Sequence, residues 1–313
     1  MDSSLLVSTW QDGVFLLQGG KISHEVPGRQ AWTLAAEENG SALAIINQQS
    51  LWRRARDGGW TEIAKSKSLS SCLNTRGEVF VGTDDGAHLL RLAGGTLKPV
   101  ESFDRTPGRD TWAAGAALID GKWIGPPLGI RSMSASPDGA VLLVNVHVGG
   151  IPRSTDRGAS WHPTINIDTD VHQVAAHPTR PGVAAAAAAR GLCISRDGGM
   201  SWRIETEGLD HPYCSAVAFI GDDIYVAASD GHFVKEGGVY RRPIDSSVAL
   251  KPVGGGVPRV LDGIVDTTNI AVDGARAAIV DRGGSVYLSQ DTGRSWARVA
   301  QIGAAPSAAI FIG

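Results

Sequence analysis

Apolar residues run through this chain in short blocks broken by Gly, Asp and Pro, and the blocks have strand length throughout. One stretch shows the pattern whole. Val171 to His177, 183–189, Leu192 to Ser195 and Trp202 to Glu205 read as four successive strands separated by tight turns. The second of these is nearly all Ala, as expected of a strand buried on both faces in a crowded place. A strand opening on a small residue followed by a larger one recurs, and its phase marks seven positions: Val14, Leu51, His88, Ile151, Leu192, Val239 and Val286. They lie 37, 37, 63, 41, 47 and 47 residues apart, and the step from Val286 through Gly313 round to Val14 is 41. Seven units of about forty residues, each of four strands, predict a seven-bladed β-propeller of antiparallel sheets.

Three of the strands run into one phrase: Ser154 to Trp161, Ser195 to Trp202 and Ser289 to Trp296 each read S-x-D-x-G-x-S-W. The carboxylates of Asp156, Asp197 and Asp291 can accept hydrogen bonds from the N–H groups of their own turns, and Gly supplies the backbone shape. Ala55 to Trp60 reads as a one-residue-short relic. The phrase resembles the Asp-box, or bacterial neuraminidase repeat, of sialidase-like β-propellers. Members include sialidases, xyloglucan-active glycosidases, sorting-receptor ectodomains and a photosystem II assembly factor. The resemblance implies the propeller fold and a structural role for the three Asp residues. It implies no activity, because the fold hosts many chemistries. Sialidases place an Arg-Ile-Pro element ahead of their first box; Ile151-Pro152-Arg153 abuts a box in a different order and on a different strand, so no sialidase site is carried over.

The wrap-around step of one blade length implies that the two ends share a sheet. Residues 307–312 should form its innermost strand and pair with 5–9, removing an exposed edge. The long gap holds an insertion at about 104–131, which joins an outer strand to the next inner strand. It carries Trp112, Trp123 and a Pro126-Pro127 step. One propeller domain should therefore span 1–313, with this loop on its ligand face.

Composition narrows the partners. A net charge of −3 and no dense Lys/Arg run argue against nucleic acid or an anionic membrane. The first residues lack the basic and long apolar segments of a signal peptide, and the three widely spaced cysteines make no metal-type pair. A reduced, cytoplasmic, monomeric protein is expected, with a protein partner left open.

Chemistry should lie on the face away from the boxes, where second strands turn into third strands and chains approach the inner strands. Phasing puts Trp10, Asp12, Asn47, Gln48, Asp84, Asp85, Asn145, His147, Arg190, Asp230, His232, Asp281 and Arg282 there, with Arg131, Asp170, His172, His211, Tyr213 and Asp266 at the approaches. Asp170 and His172 alternate, as do Asn145 and His147, so each pair shares a strand face. A carboxylate beside an imidazole supports either a general base or a metal-bound His. The catalytic candidates are His172, Asp170, His147 and Tyr213. The ligand-binding candidates are Arg131, Asn145, Arg190, Trp123, His232 and Asp230, the Arg residues suiting an anion. If a metal is bound, its ligands come from His147, His172, His211 and His232; the cofactor is otherwise unknown. The leading reading is a hydrolase or lyase acting on a small anionic or hydroxylated, sugar-like molecule. A non-catalytic assembly scaffold and a metal-dependent enzyme are the alternatives.

Overall fold

The computed structural model of the protein describes residues 4–115, 117–119, 122–124 and 127–313. Seven antiparallel sheets stand in a ring as the blades of a β-propeller. Blade 1 takes its innermost strand, Pro306–Ile312, from the end of the chain and its other three, Ser4–Thr9, Val14–Gln18 and Lys21–Glu25, from the beginning. The innermost strands of blades 2 to 7 are Ala31–Ala36, Leu69–Thr75, Ile130–Ala135, Val171–Ala176, Tyr213–Ile220 and Ile270–Asp273. All seven phase positions fall on or beside third strands: Val14–Gln18, Ser50–Arg54, Leu89–Ala93, Pro152–Ser154, Gly191–Ser195, Glu236–Pro243 and Ser285–Ser289.

The expected closure is present. Leu5 pairs with Phe311, Leu6 with Ile310 and Val7 with Ala309, and the Ser8 and Ser307 hydroxyls meet at 2.7 Å. Alternation explains why such strands read as unbroken apolar runs. Leu5 and Val7 pack toward blade 7, whereas Leu6 packs toward blade 2. Ala185 and Ala187 likewise face blade 6, and Ala184, Ala186 and Ala188 face blade 4. Every neighbouring pair of blades is joined by such an apolar seam, so the core is a ring of seams around the axis.

The three boxed turns share one hydrogen-bond pattern. Asp197 Oδ1 accepts from the Ser201 N–H at 2.9 Å and the Ser195 hydroxyl at 2.8 Å, and Ser195 Oγ accepts from Gly199 N–H at 2.8 Å. Asp156 and Asp291 repeat it. Serine and backbone donors hold the Asp156 and Asp197 carboxyls down at about 2. Blade 6, which has no box, departs from four strands: Leu261–Asp262 folds back along the third strand, pairing Leu261 with Gly237, to make a fifth.

The insertion packs closely on the ring. The one-turn helix Glu101–Asp104 leads into it, and it contains the turn Arg109–Thr111 and a hairpin of Ala117–Ile119 with Lys122–Ile124. Arg109 donates to the Gly86 and Ala87 carbonyls at 2.7 and 3.0 Å and lies over Trp112, itself buried against Phe103. Cys72, Cys193 and Cys214 are buried and unpaired. Among the described residues, no helix is long and apolar enough to cross a membrane.

Candidate functional site

Six of the seven innermost strands bulge at the same place, near the end where the chain approaches them. Pairing skips from Ala31 to Thr33, Leu69 to Ser71, Ile130 to Ser132, Val171 to Gln173 and Cys214 to Ala216. In blade 1 it skips from Ala308 to Pro306. The residues left over are Trp32, Ser70, Arg131, His172, Ser215 and Ser307. A bulge re-aims the side chain it releases. Here four of the six, Trp32, Ser70, Arg131 and Ser307, line a cavity of about 360 Å³ at the mouth of the axial channel. Trp10, Asp84, Asp266 and the insertion's Pro127 and Gly129 stand in the same wall. Trp10 and Trp32 meet edge to face at 5.1 Å.

The Thr267 hydroxyl donates to the carbonyl of Ser215 at 3.3 Å, and the Thr268 N–H donates to Gln173 Oε1 at 3.0 Å. Residues from blade 7 therefore reach across to blades 5 and 6, and the cavity has a floor.

Arg131 joins this cavity to a buried cluster. Its guanidinium lies 3.8 Å from Asp266 and 3.3 Å from His147 Nε2. His147 Nε2 in turn stands 2.9 Å from Asp170 Oδ1, and His172 Nε2 stands 3.7 Å from the same oxygen. Asp170 is held in place by its backbone. It adopts the left-handed conformation at φ 54°, its N–H donates to Ile167 O, and its carbonyl accepts from Ala189. The His172 ring is oriented by the Cys214 carbonyl, which accepts from Nδ1 at 2.6 Å, and Tyr213 packs on its face at 4.5 Å between centroids.

Burial dominates the electrostatics. It lowers the His147 pKa to about 4, helped by Arg131 and His172 and opposed by Asp170. Burial also pushes Asp170 up, but the two imidazoles that face it outweigh burial and leave the carboxyl well below its usual range. Asp266 is likewise held low despite burial, chiefly by Arg131 and His232. Burial raises the Tyr213 phenol to about 12.

The expected catalytic group His147, Asp170, His172 and Tyr213 is thus brought together, though the details differ from the expectation. Asp170 meets His147 more closely than His172, and a backbone carbonyl orients His172. Arg131 belongs to the site. Asn145 is fully buried, and both its polar side-chain atoms lack a protein partner. His232 joins through Arg282, which donates to its carbonyl at 2.6 Å and reaches Asp266 at 3.4 Å. Others are not brought in. Arg190 is exposed on the turn before Gly191–Ser195, with no hydrogen bond or ion pair to the cluster. Asp230 pairs with His211 at 3.5 Å beside a separate cavity, which leaves both outside the cluster. Trp123 lies on the hairpin, and its side chain is outside the described residues.

Sequence reasoning passed over Trp32 entirely. Only the bulge turns it to the channel, and no residue pattern announces the bulge. Trp10, Asp84, Asp266 and Arg282 fell on the correct face by phase. Their wide separation along the chain left them out of the expected cluster.

No family model matches the chain, and no curated protein matches it significantly. Solved structures do resemble it as folds. An ancestral GH74 enzyme superposes with a TM-score of 0.61 at 14% identity, covering 90% of this chain and 38% of that one. The GH74 xyloglucanase from Xanthomonas campestris gives 0.58 at 18% identity, covering 85% and 45%. YCF48 bound to a D1 peptide gives 0.56 at 13% identity, covering 86% and 81%. The chain spans less than half the length of the two GH74 proteins, and at these identities the likeness is one of fold.

Proposed function

We propose that this propeller binds a small anionic or hydroxylated molecule, sugar-like in size and polarity, in the axial cavity and acts on it as a hydrolase or lyase. The observation that carries the reading is the position of Arg131, which lines the cavity while touching both Asp266 and the buried His147–Asp170–His172 cluster. A guanidinium in that place can hold a carboxylate or hydroxyl while the reacting bond faces the cluster. Trp10 and Trp32 offer apolar surface for a ring face, and Asp84 and Asp266 offer acceptors for hydroxyls. The base of the reaction belongs to the His147–Asp170–His172 cluster, with Tyr213 beside it. The xyloglucanase among the fold neighbours acts on a polysaccharide, which supports the sugar-like class as far as fold can.

Intrinsic tryptophan fluorescence reports binding directly, since Trp10 and Trp32 stand in the wall. The experiment is a screen of sugar acids, lactones, esters and glycosides for quenching and for turnover, on wild type and on Arg131→Met. A hit should weaken ~10–100-fold in Arg131→Met, the cost of removing a hydrogen bond to a charged group. Hits that bind wild type and Arg131→Met alike would remove the cavity from the reading. Binding without any turnover would leave a non-catalytic module, closer to the scaffold alternative that the peptide-bound YCF48 neighbour illustrates.

A further inference from the structure

We infer that His147, Asp170 and His172 form a three-ligand site for a divalent transition-metal ion. One potential ligand atom from each lies within 4.8 Å of the other two. The argument rests on protons and lone pairs. The Cys214 carbonyl can only accept, so His172 Nδ1 carries the hydrogen that faces it. In a neutral ring that leaves a lone pair on Nε2, in a side chain 2% exposed, and this atom has no hydrogen-bond partner. What it faces is Asp170 Oδ1, another acceptor, also without a hydrogen-bond partner of good geometry. His147 presents the same conflict. If Nε2 accepts from Arg131, its lone pair also confronts Asp170 Oδ1 at 2.9 Å; if it donates to Asp170, the Arg131 N–H at 3.3 Å meets a hydrogen. Three acceptors converging on one point, two of them on nearly inaccessible side chains, are an unfavourable arrangement for a dry interior. A cation at that point satisfies all three at once, with the Arg131 N–H, 3.3 Å from His147 Nε2, then turning to Asp266.

The two separations from Asp170 suit such an ion, and the His147 and His172 atoms, within 4.8 Å of each other, would draw together on binding. Bonds of ~2.0–2.1 Å at a tetrahedral angle place ligand atoms about 3.3 Å apart. The separations here from Asp170 Oδ1 are 2.9 Å to His147 Nε2 and 3.7 Å to His172 Nε2. Two imidazoles and one carboxylate are a borderline donor set that selects Zn²⁺, Co²⁺ or Fe²⁺ over Mg²⁺ or Ca²⁺, which prefer all-oxygen sites. The second shell is present as well: the Cys214 carbonyl fixes the His172 tautomer as metal-bound histidines require. Asp170, with its side chain 35% exposed, gives the site its open side. The site deepens the reading of the cavity, on which its catalytic meaning but not its existence depends: a water on the ion, rather than an imidazole, would be the base. The competing arrangement is a proton on His172 Nε2, an imidazolium against Asp170.

The test strips wild-type protein with a chelator and titrates it with Co²⁺ at neutral pH, following visible absorption and melting temperature, with Mg²⁺ as control. One equivalent of Co²⁺ should bind with a ligand-field spectrum and raise the melting temperature, and Zn²⁺ should displace it; Mg²⁺ should do neither. Asp170→Asn and His172→Gln, checked for wild-type unfolding without metal, should bind Co²⁺ at least ~10–100-fold more weakly. If either variant fails to fold, the wild-type spectrum decides by itself, since Co²⁺ held by two nitrogens and an oxygen differs from hexa-aquo Co²⁺. Wild type that shows no stoichiometric spectrum and no stabilisation by Co²⁺ or Zn²⁺ overturns the site in favour of the imidazolium. Fluorescence quenching by the cavity's ligands is read separately, so loss of the metal site and loss of the ligand pocket are told apart.

Discussion

The Asp170 carboxylate lies 2.9 Å from His147 Nε2, although the two residues belong to adjacent blades. His147 follows the second strand of blade 4, Leu142–Val146, and Asp170 precedes the innermost strand of blade 5. The pair therefore brings the open-face ends of two sheets together across their seam. It also depends on the insertion. A Cβ added at Gly115 would come within 2.0 Å of the His147 ring, so the loop lies directly against the imidazole.

That closeness makes Gly115 a sensitive position. Gly115→Ala should push the His147 ring or lift the loop, costing ~1–3 kcal/mol as overpacking does. Co²⁺ or ligand affinity should fall with it. Chemical denaturation and Co²⁺ titration of the variant check both, and an unchanged affinity would mean that the loop gives way without setting the position of His147.

Removing residues 306–313 should abolish cooperative unfolding. The deletion takes away the whole inner strand of blade 1, and with it a partner of the blade 7 and blade 2 seams. The loss would exceed the few kcal/mol of net stability that a domain holds. A truncated protein that melts as the intact chain does would show that the closure carries no stability.

Box residues should matter for folding only. Asp197→Ala strands the N–H groups of Met200 and Ser201, which water can partly satisfy because the turn is exposed, so ~1 kcal/mol is expected. Affinity for the axial cavity should be unchanged, because the turn lies on the opposite face. Calorimetric titration of folded variant protein with any cavity ligand is the check. A selective loss of affinity would place the site on the box side.

His232 gives stability a pH dependence. Burial lowers its pKa to about 4; Asp266 opposes the shift, and Arg282, Arg131 and His172 add to it. A histidine that is harder to protonate when folded takes up its proton more readily on unfolding. Its contribution is thus complete above the ordinary value of about 6.5 and is lost as pH falls toward 4, by ~1–3 kcal/mol. Melting temperatures across that interval should fall in wild type and fall less in His232→Asn, with Asp266 and Asp170 adding a further loss below it. Parallel curves for the two proteins would contradict the assignment.

Much of the architecture is legible in the chain because the seams impose period two on both faces of a strand. Leu5-Leu6-Val7 and the Ala184–Ala188 strand have no polar side, and the boxed turns set the phase of the rest. The site was legible where a carboxylate and an imidazole stand two apart, as with Asp170 and His172, although Asp170 precedes the strand in a left-handed conformation and a bulge releases His172, so no shared strand face brings them together. It was not where position depends on an inserted residue. Trp32 looks like an ordinary strand residue, yet it reaches the cavity because its strand bulges; Arg131 fell on the right face by phase, and the same kind of bulge aims it at the cavity. Arg190 shows the reverse. Its phase put it on the right face, but the short turn after Ala184–Ala188 leaves it outside the channel mouth.

The bond between the Ser8 and Ser307 hydroxyls spans 299 positions of sequence. Blades 2 to 7 are each continuous in the chain and can form as they are made, by local hairpins. Blade 1 cannot. Its outer three strands are synthesised first, yet they have no inner neighbour until the final strand emerges, and closing so long a loop is entropically slow. During synthesis Ser4–Thr9 therefore waits with an open, strongly apolar edge, the hazard that most endangers an incomplete chain. The ring whose only edges when finished are its short outer strands carries its greatest risk of misassociation in the interval before Pro306–Ile312 arrives to fill the gap.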